Sequence, residues 1–225
     1  MLVIFPVGFD EKFIVRALMR KREGIDGLEH GDKLMAILPE GYEEERRIVN
    51  ALEAIEGIAL PIVGEGNVIR LEVPLHGENL VLAIKRGIEE NMTRDRIVLA
   101  VLSGGMRPLL VGTMLALLSL RDARIIVESD FENLSGYISL ELSPFLAPQS
   151  KRWKLVLCGL AKGKSVRAIA EELGVSPATI SNELEKMVNY HLVKAERPDG
   201  RAPKYYVTSA GRMYLKLMGG ECDET

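Results

Sequence analysis

Along the first 142 residues, short unbroken apolar runs alternate with longer stretches in which apolar side chains recur every three or four places. Unbroken runs of five or six suit strands buried on both faces, while the longer recurrence suits helices with one buried stripe. The pattern predicts strands over 2–7, 33–38, 68–73 and 97–102, then near 124–128 and 137–142. Between them it predicts a helix over 10–22 with Phe13, Ile14, Ala17 and Leu18 on one face, and another over 42–55. A third helix runs through Leu80, Ile84 and Ile88, and a fourth follows Ser103-Gly104-Gly105 as far as about Leu120. Strand–helix alternation of this kind implies a mostly parallel sheet covered on both faces, an α/β Rossmann-like domain over 1–142.

The helix over 109–118 is apolar nearly all the way round. A helix covering a sheet needs only one apolar stripe, so something must cover its other side. A second copy of the chain, giving a two-fold homodimer, is one answer; burial within its own domain fits the pattern equally well.

Residues 143–150 hold two prolines and show no helical period, and are read as a linker. From Lys151 to 220 the pattern becomes three short helices and two strands. Trp153, Leu155, Val156 and Leu160 mark the first helix, and 166–173 the second. Gly174 suits a tight turn with φ > 0. Ser176-Pro177 opens the third helix with a capping hydroxyl and a proline at the first helical position. Ile180, Leu184 and Val188 recur every four residues and are assigned to the core. Ser176, Ala178, Thr179, Ser181, Asn182 and Lys186 then remain for a major groove, being small or hydrogen-bonding. A hairpin of 192–196 and 204–208 follows, carrying Arg197, Arg201 and Lys204, cations suited to phosphate contacts. This is a smaller α+β winged helix-turn-helix, with 221–225 an acidic tail.

Charge sharpens the division. Residues 1–150 hold 16 basic and 23 acidic side chains, whereas 151–220 hold 13 basic and six acidic, a net +7. A basic module on an acidic body suits duplex DNA as partner. The longest uncharged apolar stretch, 108–120, is shorter than the ~20 residues that cross a bilayer. The opening MLVIFPVGFD lacks a basic leader and cleavage site. Cys158 and Cys222 lie far apart without metal-ligand spacing, so neither a zinc site nor a disulfide is expected, and a reducing cytoplasm is the simple location.

Two loops follow strand ends on one edge of the expected sheet: Gly8-Phe9-Asp10 and Ser103-Gly104-Gly105-Met106-Arg107. Ligands of open α/β sheets bind at that edge. Glycines there let backbone amides approach a phosphate, the helix dipole favours an anion, and Arg107 adds a guanidinium fork. Tight-turn glycines with a solvated arginine would give the same string, and Asp10 also reads as a helix N-cap. Neither GxGxxG nor GxxxxGK[ST] is present, which disfavours a dinucleotide or a P-loop triphosphate. No metal or resident cofactor is expected.

The segment ELGVSPATISNELEKMVNYHLV with the wing ending RAPKYYVTSAGRMYL resembles winged helix-turn-helix regulators of the MarR and ArsR kind. FPVGFDEKFIVRAL and VLSGGMRPLLVGTML resemble the two signature segments of CARF domains, the CRISPR-associated Rossmann fold. The whole chain is similar to the archaeal CRISPR-locus regulators in which that fold precedes a winged helix-turn-helix. The resemblance implies a homodimeric transcription regulator binding a cyclic oligoadenylate, with cyclic tetra-adenylate as effector, across its two-fold axis. It places Gly8, Phe9 and Asp10 in the first ligand loop, and Ser103, Gly104, Gly105, Met106 and Arg107 in the second. Two other readings stay open. One is slow metal-independent cleavage of the ligand, with Ser103 and Arg107 assisting; His30, His76 and His191 are not placed to act as its base. The other is a regulator that senses an unrelated metabolite.

Overall fold

The apolar runs at 2–6, 33–39 and 97–101 become strands buried on both faces, which need apolar side chains at nearly every position. The strand at 68–73 instead lies at the sheet edge and keeps Arg70 and Glu72 exposed. The computed structural model describes residues 1–22, 27–197, 203–219 and 222, and divides them into two units, 1–140 and 141–225. In the first, β1 (Leu2–Pro6), β2 (Lys33–Pro39), β3 (Val68–Val73), β4 (Ile97–Val101), β5 (Arg124–Asp130) and β6 (Tyr137–Glu141) form one sheet. Their order is β3-β2-β1-β4-β5-β6, with β1 to β5 mutually parallel. β1 is buried at all five positions and lies in register with β2 (Leu2 beside Lys33) and β4 (Leu2 beside Val98).

The helices of this unit are α1 (Lys12–Leu18), α2 (Arg46–Val63), α3 (Gly77–Asn91) and α4 (Arg107–Ser119). α1 packs on α2 and α3 on α4. Val3, Phe5, Ile14, Leu18, Leu52 and Ile55 belong to a single core cluster beneath α1 and α2. Strand order reverses between β1 and β4, so the loops after those two strands open at the switch point of the sheet.

Three helix boundaries differ from the pattern. α1 ends at Leu18 rather than near 22, and Arg20 and Arg22 turn toward β5 instead. α2 starts at Arg46, after a 3-10 turn over Tyr42–Glu44, and continues past Ile55 to Val63 with Pro61 inside it. Ala59 and Val63 stay fully buried along that extension, and such packing outweighs a proline near a helix end.

The second unit begins with α5 (Ser143–Leu146), so the segment read as a linker holds a short helix, and Ala147 joins the core of this unit. Then come α6 (Lys151–Ala161), α7 (Val166–Glu172), α8 (Pro177–Asn189), the antiparallel pair β7 (Val193–Glu196) and β8 (Lys204–Val207), and α9 (Ser209–Leu217). Ser150, Ser165, Ser176 and Thr208 each cap a helix, accepting from the N–H three residues on. In α6 the buried stripe is Trp153, Val156, Leu157 and Gly159; of the residues that marked this helix, Leu155 is exposed and Leu160 half-buried. In α8 it is Ile180, Leu184 and Met187; Val188 is only half-buried, because seven residues make nearly two full turns. The expectation of two unlinked cysteines is also overturned: Cys158 on α6 is disulfide-bonded to Cys222. α9 packs along α6, which carries the chain end back to that position.

Candidate functional site

Gly8, after β1, and Gly105, after β4, form an antiparallel bridge that joins the two loops directly. A Cβ on Gly8 would overlap the carbonyl oxygen of Gly104, so only glycine permits this approach. Gly104 itself takes φ 69°, the left-handed region that a side chain disfavours. Gly8, Phe9, Gly104, Gly105, Met106, Arg107 and Pro108 line a cavity of about 360 Å³ at the loops. Six of these seven are residues singled out from the sequence; Pro108 was missed.

Asp10 and Ser103 lie outside that lining. Asp10 accepts a hydrogen bond from the Lys12 N–H at 3.0 Å and pairs with the Lys12 ammonium, so its carboxylate serves the start of α1. Ser103 is buried, and its hydroxyl accepts from the Asp130 N–H at 2.8 Å, tying the second loop to the end of β5. Arg107 is exposed at the first position of α4.

Two further arginines on the neighbouring helix were not singled out. Arg46 and Arg47 open α2, and the Arg47 guanidinium lies 4.6 Å from the ring centroid of Phe9. The expected helix over 42–55 hid them, because it put Glu43, Glu44 and Glu45 in its first turn; the observed start at Arg46 puts two cations there. Cations in the first turn oppose the helix dipole at a cost of about 0.3–1 kcal/mol each, a placement that goes uncompensated until an anion or a π-face meets them. The exposed turn Glu43, Glu44 and Glu45 immediately before them offsets part of that cost.

Behind the loops lies a buried ionic cluster. Glu128 accepts from Arg20 Nη1 at 2.7 Å and from Arg22 Nε and Nη2 at 2.6 and 2.8 Å. Asp130 accepts from Arg20 Nη2 at 2.7 Å, and the Arg20 guanidinium also sits 3.6 Å from the Tyr137 ring centroid. Neither carboxylate side chain is exposed. The cluster fixes the end of β5, and through Asp130 it fixes the hydroxyl that anchors the second loop.

Residues 1–141, which contain both loops, match the family model described as the Csa3 CRISPR-associated Rossmann-like domain. The chain belongs to that family. Residues 157–186 of this Csa3-family chain match a helix-turn-helix domain model, spanning the end of α6, all of α7 and the larger part of α8. The chain thus joins a CRISPR-associated Rossmann-like domain to a helix-turn-helix. Among solved structures, the crystal structure of protein VC1899 from Vibrio cholerae is similar over 96% of this chain at 12% identity, with a TM-score of 0.40. The chain spans 64% of the length of that structure. No curated protein matches the chain.

In the helix-turn-helix, Gly174 takes φ 64° at the turn and α8 is the helix of the expected reading face. Ser176, Ala178, Asn182 and Lys186 are exposed, while Thr179 and Ser181 are half-buried. The Ser176 and Thr179 hydroxyls lie 2.9 Å apart and share the cap of α8. Arg197 and Lys204 are exposed beside the β7–β8 ladder; Arg201 lies outside the described residues. Among the described residues there is no group of three or more potential metal ligands, and no helix long and apolar enough to cross a membrane.

Proposed function

We propose that this protein is a CRISPR-associated DNA-binding regulator, a homodimer whose paired loop cavities bind one cyclic oligoadenylate, cyclic tetra-adenylate, and that binding shifts its affinity for DNA. The observation that carries the reading is the continuity between cavity and helix. Val111, Leu115 and Leu118 form an exposed apolar stripe along α4, 61, 50 and 38% exposed, beginning one turn after Arg107. The opposite side of α4 (Leu109, Gly112, Thr113, Ala116, Leu117) is already buried on its own domain. A second copy seated on the stripe would bring two Arg107 side chains and two glycine bridges together about one axis, as a two-fold ligand with several phosphates requires. The Arg107 guanidinium forks at the two α4 N-termini would supply the anion recognition.

In the second unit, α8 would enter the major groove with Ala178, Asn182 and Lys186 foremost, and Arg197, Arg201 and Lys204 of the wing would meet phosphates. The ligand acts only if it binds one arrangement of the dimer more tightly than another. Slow cleavage of the ligand loses one of its supports, because the Ser103 hydroxyl is turned to Asp130. The test is calorimetric titration of the full chain with cyclic tetra-adenylate. Tight binding at one ligand per two chains is expected; absence of heat, with no binding by a second method, would leave a regulator with a different effector.

A further inference from the structure

We propose that Phe9 and Arg47 together form a stacking platform for a nucleobase, so that the loop cavity divides into a phosphate subsite and a base subsite. The proposal rests on the nucleotide reading of the cavity given above. Phe9 lines that cavity, yet the residue is still 45% exposed, and the Arg47 guanidinium lies 4.6 Å from its ring centroid. An exposed aromatic ring steadied by a guanidinium offers the two flat surfaces on which proteins stack unpaired bases.

Local charge separates a base from a phosphate as the group that meets Arg47. Glu43, Glu44 and Glu45, all exposed, directly precede Arg46 and Arg47. A phosphate beside Arg47 would meet three carboxylates; a neutral base would not. The loop before Arg107 is different, since Leu102, Ser103, Gly104, Gly105 and Met106 carry no acid. The glycine bridge and Arg107 therefore take phosphate, and Phe9 with Arg47 takes the base. Arg47 acts through its plane, with its charge secondary.

The experiment titrates the full chain with cyclic tetra-adenylate and, separately, with adenosine monophosphate. Affinity is followed by calorimetry and the Phe9 ring protons by NMR, with the Phe9→Leu spectrum giving their assignment. Arg47→Ala should weaken cyclic tetra-adenylate binding by about ten-fold or more, the usual worth of one base stack. Arg47→Lys should weaken it nearly as much, because lysine keeps the charge and loses the plane. Wild-type affinity in Arg47→Lys would overturn the platform, as would a Phe9 ring shifted by neither ligand. If adenosine monophosphate shifts Phe9 while cyclic tetra-adenylate does not bind, the platform stands and the cyclic-ligand reading falls.

Discussion

Replacing Glu128 with glutamine tests how much of the sensor unit hangs on its buried ionic cluster. The substitution keeps the shape and removes the charge that receives three hydrogen bonds of 2.6–2.8 Å from Arg20 and Arg22. Those arginine side chains are only 11 and 7% exposed, so water does not readily replace the lost partner. Arg20 keeps its bond to Asp130, and Arg22 keeps those to the carbonyls of Ala17 and Arg20. The amide of glutamine also turns a donor toward donors. Breaking one side of a buried pair costs about 3–5 kcal/mol. The retained bonds place Glu128→Gln near the lower end, about 3 kcal/mol, or roughly 10 °C in midpoint for a unit of this size. The single tryptophan, Trp153, lies in the core of the second unit and supplies an internal control. Thermal unfolding followed by far-ultraviolet circular dichroism should show an earlier loss of α/β structure, while Trp153 fluorescence keeps its wild-type midpoint. A change below about 1 kcal/mol in the first unit would refute the argument, since it would mean the arginines find equal partners elsewhere.

Four other outcomes are expected. Arg107→Ala should weaken cyclic tetra-adenylate binding in calorimetry and leave DNA affinity without ligand unchanged; undiminished ligand affinity would remove Arg107 from the site. Leu115→Glu places like charges face to face across the proposed two-fold axis, at a cost of several kcal/mol, so light scattering should report a monomer where the parent chain is a dimer. Gly8→Ala forces a methyl into the Gly104 carbonyl, which no side-chain movement can relieve. It should cost the first unit at least about 2 kcal/mol and abolish ligand binding, and a variant as stable as the parent would show that the bridge is not needed. Lys204→Ala should lower the slope of log affinity against log salt by about one, equally for all DNA sequences, if Lys204 meets a phosphate.

What was legible in the sequence and what was not divide along physical lines. β1 and β4 were readable because a strand buried on both faces writes itself as an unbroken apolar run. The start of α8 was readable because Ser176 and Pro177 do their work within one turn. Contacts between distant parts of the chain left no such trace. Glu128 reads as one more polar residue until Arg20 and Arg22, more than a hundred positions earlier, are seen against it. Cys158 and Cys222, 64 positions apart, are joined by the return of α9, which no spacing rule contains. The buried face of α6 was not legible either: Leu155 and Val156 are adjacent apolar residues that point about 100° apart, and only Val156 reaches the core. At the site itself, glycines and Arg107 could be read from residue type, whereas the inward turn of the Ser103 hydroxyl depends on a partner in β5.

The bridge between Gly8 and Gly105 makes the two loops one mechanical part. The first loop leads into α1 and the second into α4. A group that presses on either loop must displace both or break the bridge, so the head of α1 and the head of α4 are yoked and the cavity has a single stroke in place of two independent hinges. Because Phe9 and Arg107 ride on opposite arms of that yoke, a molecule touching both spans a fixed gauge, and one that touches a single arm is felt at the other.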